Sequence, residues 1–166
     1  MSTKAVFLDR DGVVNKEIGD YVTNIKDFQI NPGVSQGIKR LKDAGFVVAI
    51  ISNQGGVSRG LYSKNTLNCL HDLLCQQLSR MGAGLDEIYT CPHHDAMEKC
   101  LCRKPAGLML EKAIARFDVD KEKAVFIGDS DRDVQAAENA GIKGLKIKAN
   151  TNILSVIDTI ISEIPE

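Results

Sequence analysis

The feature that most constrains this chain is a strict alternation of short apolar runs with segments of helical period. Residues 5–8, 46–51, 87–90, 124–127 and 144–147 read as strands, and 33–44, 63–81, 108–117, 131–140 and 153–164 as helices. The strands are continuous apolar runs, as expected when both faces of a sheet are covered. Alternating β and α elements predict an α/β fold: a doubly wound, Rossmann-like parallel sheet with helices on both faces. In the longest helix Leu67, Leu70, Leu74, Leu78 and Met81 fall on one stripe, which should face the core. Cys69 and Cys75 read as packing residues there, and His71 as a solvated or capping one.

At 166 residues the chain is expected to form one domain spanning 1–166, with a full core and no need of a partner, hence a monomer. The net charge of −1 gives no sign of a nucleic-acid or membrane-surface partner. No apolar run approaches the roughly 20 residues that span a bilayer. The opening residues run into a strand too early for a secretion signal, so a cytoplasmic location is expected.

In such sheets ligands bind at the carboxyl ends of the strands, and chemistry-bearing residues gather there. The first strand runs into Asp9-Arg10-Asp11-Gly12, and two carboxylates beside a buried strand call for a cation such as Mg²⁺. The second ends in Ser52-Asn53-Gln54-Gly55-Gly56, a hydroxyl and a donor-rich turn suited to phosphate oxygens. The fourth ends in Gly128-Asp129-Ser130-Asp131-Arg132-Asp133, and Arg103-Lys104-Pro105 adds positive charge. Each piece alone is commonly a turn, a cap or a solvated surface. All of them at one sheet edge are not.

Asp-x-Asp-Gly, the strand-end Ser52, Lys104 and Gly-Asp-x-x-x-Asp together resemble the haloacid dehalogenase superfamily of phosphatases. The resemblance implies that Asp9 is a nucleophile forming an aspartyl-phosphate, and Asp11 the acid and then the base. It implies Mg²⁺ on Asp9, the Asp11 carbonyl and Asp129, with Ser52 and Lys104 holding the phosphoryl oxygens. Asp133 would orient Lys104 or a metal-bound water. The neighbouring carboxylate should raise the pKa of Asp11 and the metal should lower it, and sequence does not decide between them.

Cys91, Cys100 and Cys102, with His93 or His94, make a Cys₃His set of the kind that holds structural Zn²⁺. Two subfamilies resemble this chain in carrying such a loop and no cap domain: heptose 1,7-bisphosphate phosphatases and histidinol-phosphate phosphatases. The Cys-x-His pattern they share selects His93 as the ligand and leaves His94 exposed. The stretches around Asn15 and Tyr21, 53–60 and 91–94 look like the heptose enzymes. By that resemblance Glu17, Tyr21, Asn53, Gln54 and Arg103 would touch the sugar or its remaining phosphate. Arg103 suits the phosphate, because a guanidinium can grip it with two parallel bonds. Ser52 stands where Thr is more usual, and Ser130 where a lysine often follows the metal aspartate. The expected substrate is therefore a heptose bisphosphate, with histidinol phosphate or another small phosphosugar as the alternative. A phosphosugar-binding protein without catalysis is the reading from a different class, and turnover of a phosphate ester separates it.

Overall fold

The structure, a computed structural model, describes residues 2–165. Five parallel strands make one sheet: Thr3–Leu8 (β1), Val47–Asn53 (β2), Glu87–Cys91 (β3), Val119–Gly128 (β4) and Lys143–Lys146 (β5). Their order is β3-β2-β1-β4-β5. Four α-helices connect them, Val34–Asp43 (α1), Lys64–Arg80 (α2), Leu108–Phe117 (α3) and Asp131–Ala140 (α4), and Leu154–Glu163 (α5) follows β5. This is the doubly wound α/β fold that the alternation predicts.

The strand period of two decides which side chain faces which layer. Val6, Leu8, Val48, Ile50, Val125 and Ile127 point to the face covered by α1, α2 and α5. Ala5, Phe7, Ala49, Ile51 and Phe126 point to the other face, under α3 and α4. Every second residue is apolar for each layer, so a strand between two layers must be apolar throughout.

Helix ends follow local chemistry. Ser63 begins α2, its Oγ accepting from Thr66 N at 3.0 Å. Gly141, with φ of 77°, ends α4 in the left-handed conformation. Met81 lies past the last turn of α2 and is exposed, contrary to the stripe reading, while Leu67, Leu70, Leu74 and Leu78 are buried. Cys69 and Cys75 are exposed as well, and His71 is half-buried rather than solvated. β4 starts five residues earlier than expected, because Val119 pairs with Thr3 before a register shift. The polar residues 120–123 of that irregularity conceal the strand in the sequence. No helix of the described residues is long and apolar enough to cross a membrane.

The chain runs outward from β1 through β2 to β3, then returns to the other side of β1 as β4 and β5. The sheet therefore switches direction between β1 and β4, and a crevice at the carboxyl ends of these two strands follows from that topology.

Candidate active site

Asp9 leaves β1 at this switch point, its backbone N–H donating to Ile127 O at 2.9 Å. Beside it the buried Lys104 places all three donors of its ammonium. Nζ lies 2.9 Å from Asp9 Oδ1, 2.6 Å from Asp133 Oδ1 and 3.0 Å from Ile51 O. Burial lowers the Lys104 pKa, but attraction to Asp9 and Asp133 outweighs it and raises the pKa above the ordinary value. Asn53 fixes the backbone of Lys104 from β2: its Oδ1 accepts from Lys104 N at 3.0 Å and its Nδ2 donates to Lys104 O at 3.1 Å.

Asp133 is engaged on both oxygens. Oδ1 takes Lys104, and Oδ2 accepts from Asp129 N, Ser130 N and Ser130 Oγ at 2.9–3.1 Å. Gly128 makes this possible, since a Cβ there would meet Asp133 Cβ at 2.1 Å. Gly12 has a similar role: its φ is +89°, and a Cβ would lie 2.1 Å from Asp129 Oδ2. The Asp9–Gly12 loop can thus close against the end of β4.

One carboxylate oxygen each from Asp9, Asp129 and Asp133 lies within 4.8 Å of the others. Among the described residues Lys104 is the one cation paired with this group, touching Asp9 and Asp133 but not Asp129. Burial pushes the Asp9 carboxyl up to about 8; Lys104 opposes this, and Asp133 and Asp11 add to it. Burial and the charge of Asp133 also raise Asp129. With Asp133 committed to Lys104 and backbone N–H groups, Asp9 and Asp129 are left facing each other. Two hard oxygen donors with excess negative charge fit a dication such as Mg²⁺.

The Asp11 side chain turns away from this pair. Its oxygens accept from Arg10 Nη2 at 2.8 Å, Asn15 Nδ2 at 2.9 Å and Gln54 Nε2 at 2.8 Å. Burial raises its pKa, but the Arg10 charge and these hydrogen bonds overcome that and hold it below the ordinary carboxylate value. Arg10, which the sequence does not single out, thus adds a third influence on Asp11 beside the neighbouring carboxylate and the metal.

The crevice has a volume of about 560 Å³. Asp9, Asp11, Glu17, Tyr21, Asn53, Arg103, Lys104, Asp129 and Asp133 line it. Ser52 and Gln54 do not. Both are buried: Gln54 Nε2 donates to Ser52 Oγ at 2.7 Å and Tyr62 OH to Gln54 Oε1 at 2.5 Å. Gln54 is thus placed to hold Asp11 rather than to touch a sugar. Glu17 spends one oxygen on Gly19 N at 2.7 Å. Arg59 and Arg132 also line the crevice and were missed. Arg132 precedes Asp133 on the first turn of α4, a neighbourhood that could have flagged it.

A second ligand set hangs from the end of β3. Cys91 Sγ lies 3.5 Å from His93 Nδ1, 3.7 Å from Cys100 Sγ and 3.0 Å from Cys102 Sγ, and His93 Nδ1 lies 3.3 Å from Cys102 Sγ. Zinc–sulfur bonds of about 2.3 Å give tetrahedral edges of about 3.8 Å; the Cys91–Cys100 edge approaches that value, the Cys91–Cys102 edge is shorter, and all four donor atoms lie within 4.8 Å of one another. Burial raises the Cys91 thiol, whereas at Cys100 the backbone N–H groups of Arg103 and Cys102 outweigh burial and lower it. His94 stands apart, half-buried, accepting from Ala96 N at 3.1 Å. All five cysteines are free thiols, so a disulfide does not compete for the set. Arg103 ties this loop to the crevice, donating from Nη1 to His93 O at 3.0 Å and lying 3.5 Å from Asp95.

Residues 3–141 match the family model of the haloacid dehalogenase-like hydrolases. The chain belongs to this family. Its relatives include the D-glycero-α-D-manno-heptose-1,7-bisphosphate 7-phosphatase of Photorhabdus laumondii, 37% identical over 84% of this chain and 79% of that one. The D-glycero-β-D-manno-heptose-1,7-bisphosphate 7-phosphatase of Haemophilus ducreyi is 40% identical over 86% and 81%. Among solved structures, the D,D-heptose 1,7-bisphosphate phosphatase of Bordetella bronchiseptica, complexed with magnesium and phosphate, superposes with a TM-score of 0.90. It is 33% identical, covering 97% of this chain and 99% of that one. A family built around hydrolysis accounts for a buried Lys104 between two carboxylates better than a structural ion pair does. An apolar trio would fill the same space without the desolvation cost.

Proposed function

We propose that this protein is a Mg²⁺-dependent phosphatase that removes the 7-phosphate of D-glycero-D-manno-heptose 1,7-bisphosphate through an aspartyl-phosphate on Asp9. The observation that carries it is the floor of the crevice: Asp9 faces Asp129 across a gap suited to a dication, with Lys104 at 2.9 Å from Asp9. The names of the curated relatives supply the substrate, and their two anomers leave the anomer to experiment.

Asp9 and Asp129, with the carbonyl of Asp11, would hold Mg²⁺. Bound there, the metal offsets the repulsion between an anionic nucleophile and an anionic phosphate. An Asp9 carboxylate oxygen attacks phosphorus, and the bond from phosphorus to the O7 oxygen breaks. Asp11 gives O7 its proton. Every neighbour of Asp11 donates to it, so it must first gain that proton, and an approaching phosphate dianion favours the gain. Asp11 then takes a proton from water, whose oxygen attacks the acyl phosphate and frees inorganic phosphate and Asp9. Lys104 shifts its donation from Asp9 Oδ1 to a phosphoryl oxygen as charge moves there. We further propose that the protein acts as a monomer and that the reaction takes place in the cytoplasm.

Cys91, His93, Cys100 and Cys102 would hold Zn²⁺ as a closed structural site. Through the His93 carbonyl this loop fixes Arg103, and its folding is coupled to the metal. Cys100→Ser or Cys102→Ser should lower zinc content to well under one equivalent and lower Tm. Metal analysis of protein purified without chelators checks this; finding no zinc in the unmodified protein would remove the site.

Arg103, which lines the crevice, would grip the phosphate that does not react. Arg103→Ala should raise KM for the bisphosphate by about tenfold or more with kcat little changed, the pattern of lost uniform binding. It should matter far less for a small monophosphate. The deciding experiment is kcat/KM for both heptose bisphosphate anomers, histidinol phosphate and a simple aryl phosphate. A preference for histidinol phosphate would overturn the substrate, and no turnover of any ester would overturn the enzyme.

A further inference from the structure

Arg10 is the bulkiest fully buried side chain among the described residues. Burying a guanidinium is costly, and an apolar side chain of similar size would fill the space without that cost. Its surroundings suggest what the charge is for. Nη2 donates to Asp11 Oδ1 at 2.8 Å, while Nη1 meets His71 Nε2, on α2, at 3.2 Å. The Phe28 ring lies 5.6 Å from the guanidinium carbon. Among the described residues Arg10 Nε has no hydrogen-bond partner. One rigid fork therefore bridges α2 and the loop that carries Asp11.

An arginine only donates, so His71 Nε2 accepts and the ring proton sits on Nδ1. Burial and then the Arg10 charge push His71 down to about 4, against the pull of Asp11, so the ring is a neutral acceptor at neutral pH. The other side of Asp11 is held by Gln54, itself anchored by Tyr62. On the Arg10 side, His71 is the polar group that stops the guanidinium turning about its own axis. We infer that His71 is a positioning residue for Asp11, acting through Arg10. The inference rests on the phosphatase reading, in which Asp11 protonates the leaving oxygen.

A misplaced acid matters only where the leaving group needs a proton. The O7 alkoxide of the heptose bisphosphate needs one, and the nitrophenolate of p-nitrophenyl phosphate needs it far less. kcat/KM reports the step in which that group leaves, whichever step limits kcat. For His71→Leu, kcat/KM on the heptose bisphosphate should fall about tenfold and on p-nitrophenyl phosphate by less than about twofold, since misplacing the acid forfeits only part of the roughly 10²–10⁴-fold that acid–base catalysis contributes. His71→Gln, whose amide oxygen can accept from Arg10, should recover most of the loss on the alkyl ester. Tm and zinc content establish that each variant is folded. Should the Leu variant fail to fold, His71→Asn, whose shorter amide does not reach Arg10, replaces it in the comparison with Gln. Equal losses on both esters, or a Gln variant as impaired as the Leu one, would overturn the inference and leave the phosphatase reading standing. No turnover of either ester by the unmodified protein would overturn both.

Discussion

Asp9→Asn is expected to abolish turnover of every phosphate ester, by at least about 10⁴-fold in kcat, the scale on which removal of a covalent nucleophile acts. The amide has the shape of the carboxylate but cannot form the acyl phosphate. Its oxygen can still accept from Lys104 Nζ and from Arg10 N, which meet Asp9 Oδ1 at 2.9 Å in the native geometry. The variant also removes one of three carboxylates packed within 4.8 Å. Its Tm without added Mg²⁺ should therefore equal or exceed that of the unmodified protein, because like charges crowded in a buried site oppose folding. Protein quenched in acid after mixing with labelled substrate should retain label on the native chain and none on the variant. A kcat close to native would sink the covalent mechanism. A collapse of Tm would instead show that Asp9 is a structural partner of Lys104.

The sheet was legible because its chemistry is redundant. Ala5 and Phe7 serve one layer, Val6 and Leu8 the other, and any continuous run of this kind between helical segments says the same thing. Asp9 and Asp129 at strand ends, and Lys104 in the loop between β3 and α3, were legible for a related reason. Charge at the end of a buried strand has few structural uses, and several such positions converge on one edge.

What escaped the sequence was whatever depends on tertiary neighbours. Met81 continues the apolar stripe of α2 in periodicity, but the helix stops at Arg80 and nothing covers the next residue. Cys69 and Cys75 fall between the buried leucines of that helix and face outward. Gln54 sits in a turn that reads as phosphate-binding, yet Tyr62, eight residues on, draws its amide inward against Asp11. Arg10 looks like a spacer between two aspartates. Only the packing of α2 against the first loop shows that its charge is buried and directed at one of them. Each of these is a question of which group lies opposite, which periodicity does not encode.

Lys104 poses the harder test, because its loss should damage both stability and catalysis. Replacing it with Met keeps most of the volume and strands Asp9 and Asp133, both buried, without their shared cation. Breaking a buried pair from one side costs about 3–5 kcal/mol. The same change removes the charge that follows the phosphoryl oxygens, lowering kcat by roughly 10²-fold or more. A second substitution separates the two effects. Asp133→Asn in the Lys104→Met background removes one stranded charge, while its amide oxygen can still accept from Asp129 N, Ser130 N and Ser130 Oγ as Asp133 Oδ2 does. Substitutions at residues in direct contact are not additive, so about 2 kcal/mol of stability should return. The kcat should not return, since no positive charge has been restored beside Asp9. Chemical denaturation and steady-state kinetics on the two variants read these quantities independently. If kcat recovers along with stability, Lys104 serves the fold by balancing Asp9 and Asp133, and the charge that stabilises the transferring phosphate must come from elsewhere in the crevice.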